Sequence, residues 1–175
     1  YQGEELGLPE ADIAFDDLQD PYGIEFWPEF KGRDGCRTPM VWEADNRLGG
    51  FSTAAKAWLP VPAEHLGRAV SRQTDEAGSM LAHYRAALAL RRDHPVLRTG
   101  TMTPLTADGD VVSFLRQDGA ETLFCAFNLG DGSAEIGLPE GKWSAAGAGL
   151  GLAGVEGGSA RLGPWQGCLA VQSKE

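Results

Sequence analysis

The chain has 175 residues, 42% of them hydrophobic and 23% charged, and its 25 acidic against 15 basic residues leave a net charge of −10. That balance argues against a nucleic-acid partner or an anionic membrane surface, since either needs basic residues to displace counterions. No apolar run approaches the roughly 18 residues of a membrane helix, and a neutral partner is the easiest to accommodate.

Tyr1 to Gly7 reads as the end of a strand opening into a loop, punctuated by Gly3 and Gly7. Residues 8 to 30 mix acidic residues (Glu10, Asp12, Asp16, Asp17, Asp20, Glu25, Glu29) with Ile13, Phe15, Tyr22, Phe26, Trp27 and Phe30, and prolines break any regular period. This is expected to be a long ordered loop, and such length inside a compact domain marks function. Glu4 and Glu5 are adjacent and on a strand would point to opposite faces, so they read as structural. Asp12, Asp16, Asp17 and Asp20 lack the spacing of an EF-hand and read as a solvated acidic loop, with no metal or other cofactor expected.

Lys31 to Trp42 (KGRDGCRTPMVW) is the stretch with the most chemistry. Arg33 and Arg37 stand four residues apart, each able to aim a planar fork of donors at a carboxylate or at hydroxyls. Gly32 and Gly35 permit a tight backbone path, Thr38-Pro39 stiffens the exit, and Trp42 is expected to anchor the loop by burial. Trp27, Trp42 and Trp58 are candidates either for packing the loop down or for stacking on sugar rings.

One long helix is expected near 76 to 92, with Leu81, Tyr84 and Leu88 on its apolar stripe, Asp75 as its cap, Arg91 and Arg92 at its end and Pro95 forbidding continuation. From Thr99 onward the period falls to two. Residues 111–115, 122–127, 133–136, 160–162 and 167–171 read as short antiparallel strands between Asp-Gly, Gly-Asp-Gly and Pro-Glu-Gly turns, while 145–158 is weakly specified. Such spacing predicts a small antiparallel β-sandwich. Cys36, Cys125 and Cys168, widely spaced without a CxxC pair, read as buried free thiols rather than a disulfide framework or a zinc site. His65, His83 and His94 are isolated from any nucleophile setting, so a triad is not indicated.

Three motifs, Tyr1-Gln-Gly-Glu-Glu-Leu-Gly7, Asp20-Pro-Tyr-Gly-Ile-Glu-Phe-Trp-Pro28 and Arg33-Asp-x-x-Arg-Thr-Pro-Met40, closely resemble the C-terminal third of an α-glucosidase of glycoside hydrolase family 13, of the oligo-1,6-glucosidase type. The resemblance implies an α/β plus all-β chain. Residues 1–98 would be the end of a (β/α)8 barrel, comprising the eighth strand end, a long loop and the last helix, and 99–175 a C-terminal antiparallel β-sandwich. It implies a retaining enzyme that releases terminal non-reducing α-linked glucose from oligosaccharides, with Arg33 matching a sugar-binding arginine of the −1 subsite and Arg37 a second substrate-side or loop-holding arginine. Val41 departs from the family pattern, where proline or glutamine is usual. The catalytic residues of the family, a nucleophilic Asp, an acid/base Glu and an Asp in an Asn-His-Asp motif, match no position here, so the chain on its own is expected to be inactive and to need the N-terminal part of the barrel as partner. The alternative expectation is a non-catalytic β-sandwich module that binds carbohydrate or a partner subunit.

Overall fold

The computed structural model describes residues 1–173 and divides the chain into two compact units, Tyr1–Tyr84 and Arg85–Glu175. The first is built mainly from loops held by short helical turns. Three-residue 3-10 turns occur at Glu4–Leu6, Phe15–Asp17 and Asp34–Cys36, and short helices at α1 (Pro21–Glu25), α2 (Ala63–Gly67) and α3 (Val70–Gln73). Helix α1 begins where an Asp-Pro pair should start one. The Asp20 side chain accepts the Tyr22 amide, and Pro21 occupies the first turn, where its missing N–H costs nothing.

Residues 1–7 form a turn rather than the expected strand end. A parallel strand needs hydrogen-bonded neighbours for its ladder, and the described residues of this unit contain no strand to provide one. Two apolar clusters hold the loops instead. Leu6, Met40, Val41, Ala69 and Leu81 form one, and Ile13, Leu18 and Leu59, with Trp27 against them, form the other. Backbone pairing ties their segments together: the Val70 amide donates to Val41 O at 3.1 Å and the Ser71 amide to Trp42 O at 2.9 Å.

The long helix, α4, runs from Met80 to Asp93. It starts four residues later than expected, because Ser79 rather than Asp75 supplies the cap. Ser79 Oγ accepts the Ala82 amide at 3.1 Å, and Gln73 Oε1 takes the Leu81 amide at 3.0 Å, so two of the orphan donors of the first turn are satisfied. Of the anticipated stripe only Leu81 is buried, while Leu88 is exposed. Past Pro95, a single further turn, α5 (Val96–Thr99), precedes the strands.

Among its described residues the second unit holds seven strands: β1 (Thr101–Asp108), β2 (Val111–Gln117), β3 (Thr122–Asn128), β4 (Ala134–Gly137), β5 (Trp143–Ala145), β6 (Ser159–Leu162) and β7 (Gly167–Gln172). They make a five-stranded sheet in the order β1-β2-β3-β7-β5 and a two-stranded sheet of β4 and β6, with every pairing antiparallel as the alternation predicts. Strands β3 and β7 are central and carry apolar residues on both faces. Phe124, Ala126, Cys168 and Ala170 meet Ala160 and Leu162 of β6 in one cluster, while Leu123, Cys125 and Leu169 pack with Val96 in another. Burying a side chain such as Phe124 stabilises the fold by about 1.5–3 kcal/mol.

Strand β1 was invisible to the alternation because all eight of its residues are exposed, and Pro104 sits beside a register shift at its free edge. A proline on a strand is tolerated at an edge or a bulge, where its missing donor is not needed. Cys125 pairs across the ladder with Leu169, and Cys168 with Ala126. The two thiols therefore point to opposite faces and cannot bridge.

Candidate functional site

The site begins with a crossing of two glycines. A Cβ on Gly23 would lie 2.5 Å from Lys31 O, and one on Gly32 would lie 2.9 Å from Asp20 Cβ and 3.0 Å from Gly23 Cα. Gly32 also has φ of 74°, a left-handed conformation that side chains resist. Only with glycine at both places does the arginine stretch approach the start of α1 closely enough for side chains to meet.

What meets there is Asp20 with both arginines. Its Oδ1 accepts the Tyr22 amide at 3.1 Å and its Oδ2 the Arg33 amide at 3.0 Å. The same Oδ2 lies 3.5 Å from Arg33 Nε and 3.8 Å from Arg37 Nη1. Asp20 differs from the expected solvated acidic residue: its side chain is only 3% exposed, because capping α1 and accepting the Arg33 amide turn it inward. The Arg33 amide, above all, holds the Asp20 carboxyl below the usual carboxylate range. Burial works against this, and the Tyr22 amide and the charge of Arg33 reinforce it. The Arg33 side chain remains 65% exposed, and no other residue among those described bonds its two Nη groups. One edge is thus spent on a carboxylate and the other is presented outward.

Behind the arginines lies Asp34, fully buried. Its Oδ2 accepts two consecutive backbone amides, those of Gln19 at 2.6 Å and Asp20 at 2.7 Å, while its Oδ1 is buried without a partner among the described residues. Next to it, a Cβ on Gly35 would overlap the Ala11 carbonyl, whose own amide donates to Gly35 O at 3.0 Å. The exit of the loop is held by His65, which is buried. Its Nε2 is 2.9 Å from Pro9 O and its Nδ1 is 3.1 Å from Thr38 Oγ1. Because a carbonyl only accepts, Nε2–H donates to Pro9 O, and in the neutral ring Nδ1 then accepts from the threonine hydroxyl.

Trp42 does not anchor the loop, being 49% exposed. Met40 and Val41 do so in its place: the run from Thr38 to Val41 is buried and the chain turns outward at Trp42. Cys36 also differs from expectation: it is exposed, at the end of a 3-10 turn, with its thiol donating to Arg33 O at 3.1 Å. Of the other candidates, Glu5 accepts the Gly3 amide at 2.8 Å, Asp12 pairs with Lys31, Asp17 pairs with Lys56, and Lys31 lies 5.4 Å from the Trp27 ring centroid. Trp58 is exposed, and no group of three potential metal ligands occurs among the described residues.

The sequence thus singles out Arg33 and Arg37 but not Asp20, which pairs with them, nor Asp34 and His65, which hold the adjoining backbone. For Asp20 a signal existed, the Asp-Pro start of a helix. Asp34 and His65 carried none, since their partners are backbone groups and a hydroxyl from distant positions.

Residues 1–100 match the family described as alpha amylase, catalytic domain. A "Probable alpha-glucosidase" of Rhizobium meliloti (strain 1021) is 52% identical over 139 residues, covering 79% of this chain and 25% of that protein. An "Oligo-1,6-glucosidase" of Heyndrickxia coagulans is 26% identical over 162 residues, covering 82% of this chain and 29% of that protein. The chain therefore spans about a quarter of the length of these curated relatives. Among solved structures, the alpha-glucosyl transfer enzyme XgtA superposes with a TM-score of 0.87 at 46% identity, covering 99% of this chain and 32% of that one. A trehalose-6-phosphate hydrolase of Bacillus licheniformis, with a TM-score of 0.78 at 22% identity over 99% of this chain and 35% of that one, shares the fold. With its first 100 residues matching the catalytic domain and its whole length similar to enzymes of this kind, the chain belongs to the alpha-amylase family, glycoside hydrolase family 13.

Proposed function

We propose that this chain supplies the arginine loop and the C-terminal β-domain of a retaining α-glucosidase that removes terminal non-reducing α-linked glucose from oligosaccharides. In this reading residues 1–98 complete the (β/α)8 barrel and residues 99–175 form the β-sandwich. The catalytic carboxylates come from the part of the barrel that the chain does not contain, and the chain alone is inactive. Arg33 contacts the sugar at the −1 subsite and Arg37 supports the loop. The observation that carries the reading is the division of labour on Arg33: Nε faces the buried Asp20 carboxylate while the Nη groups are free to donate outward. A neutral, hydroxyl-rich ligand suits donors of this kind, because a guanidinium stays charged at any working pH and holds its hydrogen bonds in a fixed plane.

Retaining hydrolysis proceeds by a two-step displacement in which a carboxylate displaces the leaving group to form a glycosyl-enzyme intermediate that water then attacks. Attack by a second sugar hydroxyl instead would give transfer, and the likeness to the alpha-glucosyl transfer enzyme favours that outcome when acceptor sugars are abundant. The test is Arg33→Lys in the complete enzyme, assayed on p-nitrophenyl α-glucoside. Lysine keeps the charge and loses the fork, so kcat/KM should fall by about 10–150-fold, corresponding to about 1.5–3 kcal/mol for a hydrogen bond to a charged group. Wild-type kcat/KM in that variant, or a glucose complex with Arg33 directed into bulk solvent, would refute the assignment.

A further inference from the structure

We propose that Asp34 is a positioning residue for the Arg33 contact, acting through Asp20; this rests on the reading of Arg33 as a sugar-binding group. The geometry is a reciprocal clamp. The Asp34 side chain holds the backbone of the α1 approach by accepting the Gln19 and Asp20 amides, and the Asp20 side chain holds the backbone of the arginine loop by accepting the Arg33 amide. Each carboxylate fixes the segment that carries the other, and Arg33 lies in sequence directly beside Asp34. A guanidinium whose Nε must meet Asp20 while its Nη groups stay free has a long flexible stem, so its aim depends on the two backbones being locked together.

The chemical choice at position 34 supports the same role. Two adjacent amides converging on a single oxygen at 2.6 and 2.7 Å are best met by a charged acceptor. A neutral side chain could fill the space without leaving a buried oxygen unpartnered, as Asp34 Oδ1 is. Retaining a carboxylate there costs stability, and the return is the short, fixed bond to the residue that orients Arg33.

The experiment is a double-mutant cycle in the complete enzyme, combining Asp34→Asn with Arg33→Lys, with Thr38→Val as a structural control. Asp34→Asn keeps the shape but weakens the acceptor. Alone it should lower kcat/KM on p-nitrophenyl α-glucoside about tenfold, whereas in the Arg33→Lys background its effect should shrink to less than about threefold. Thr38→Val removes the hydroxyl bonded to His65 without touching the clamp, so its effect should be the same in both backgrounds. In parallel, hydrogen exchange at the Gln19 and Asp20 amides should quicken about tenfold in Asp34→Asn and stay at the wild-type rate in Thr38→Val.

Equal effects of Asp34→Asn in the two backgrounds, or unchanged exchange at Gln19 and Asp20, would overturn the inference while leaving the function standing. Absence of any α-glucoside turnover in the wild type would instead defeat the function. Should Asp34→Asn fail to fold, Asp34→Ser takes its place in the cycle. Failure of both would assign the carboxylate to the fold alone and overturn the positioning role.

Discussion

Replacing Gly32 with alanine tests whether the glycine crossing is what brings Asp20 to Arg33. Two costs fall on that one methyl group. At φ of 74° an L-residue pays about 1–2 kcal/mol for the left-handed conformation. The new Cβ would also stand 2.9 Å from Asp20 Cβ and 3.0 Å from Gly23 Cα, which forces the segments apart and adds about 1–3 kcal/mol of overpacking. The sum is about 2–5 kcal/mol. Gly7 provides the comparison: its φ is 64°, yet its added Cβ would meet Met80 Cγ at an ordinary 3.5 Å, so Gly7→Ala pays only the conformational part. Native-state hydrogen exchange separates the two. The Tyr22 and Arg33 amides, both bonded to Asp20, should exchange about thirtyfold faster or more in Gly32→Ala, as a loss of about 2 kcal/mol requires, and at the wild-type rate in Gly7→Ala. Equal protection of the Arg33 amide in the two variants would refute the reasoning, since it would mean that the Asp20 contact does not depend on the close approach at Gly32.

The Asp20 carboxyl makes the loop acid-labile in a stated direction. Its folded pKa lies below its unfolded value of about 3.9, so its contribution is complete above that value and is lost as pH falls through the folded pKa. Exchange at the Arg33 amide should therefore quicken, beyond its intrinsic pH dependence, only below about pH 4, and Asp20→Asn should remove that step. Cysteine reactivity should divide sharply. Burial pushes the Cys125 thiol up to about 12 and raises Cys168 as well, whereas Cys36 is exposed. Alkylation under native conditions, followed by peptide mass spectrometry, should label Cys36 alone, with the other two reacting only in denaturant; rapid native labelling of Cys125 would contradict the burial of β3.

The sequence by itself determined the parts of this protein that depend on local pattern. Short apolar runs bounded by Gly and Asp turns placed the antiparallel strands at 111–115, 122–127 and 167–171, although β3 and β7 proved to be buried on both faces rather than at every second position. The resemblance of three motifs to glycoside hydrolase family 13 pointed to the family and directed attention to Arg33 and Arg37. What lacked a pattern was lost: β1 is exposed on both faces and β5 is three residues long, so neither shows a period. Helix α4 was legible, but its first residue was not, since Ser79 and Gln73 compete with Asp75 for the cap and only packing decides between them.

The support of the site was decided by tertiary structure alone. Nothing adjacent to Asp34 in sequence reveals that its carboxylate takes the amides of residues 19 and 20, nor that His65 joins Thr38 to Pro9 across dozens of positions. Hydrogen bonds to backbone groups leave no signature in residue type at the accepting or donating end, because every residue but proline offers the same amide. Trp42 and Cys36 show the converse: their types suggested burial, and the direction of the chain at those two positions turned them outward.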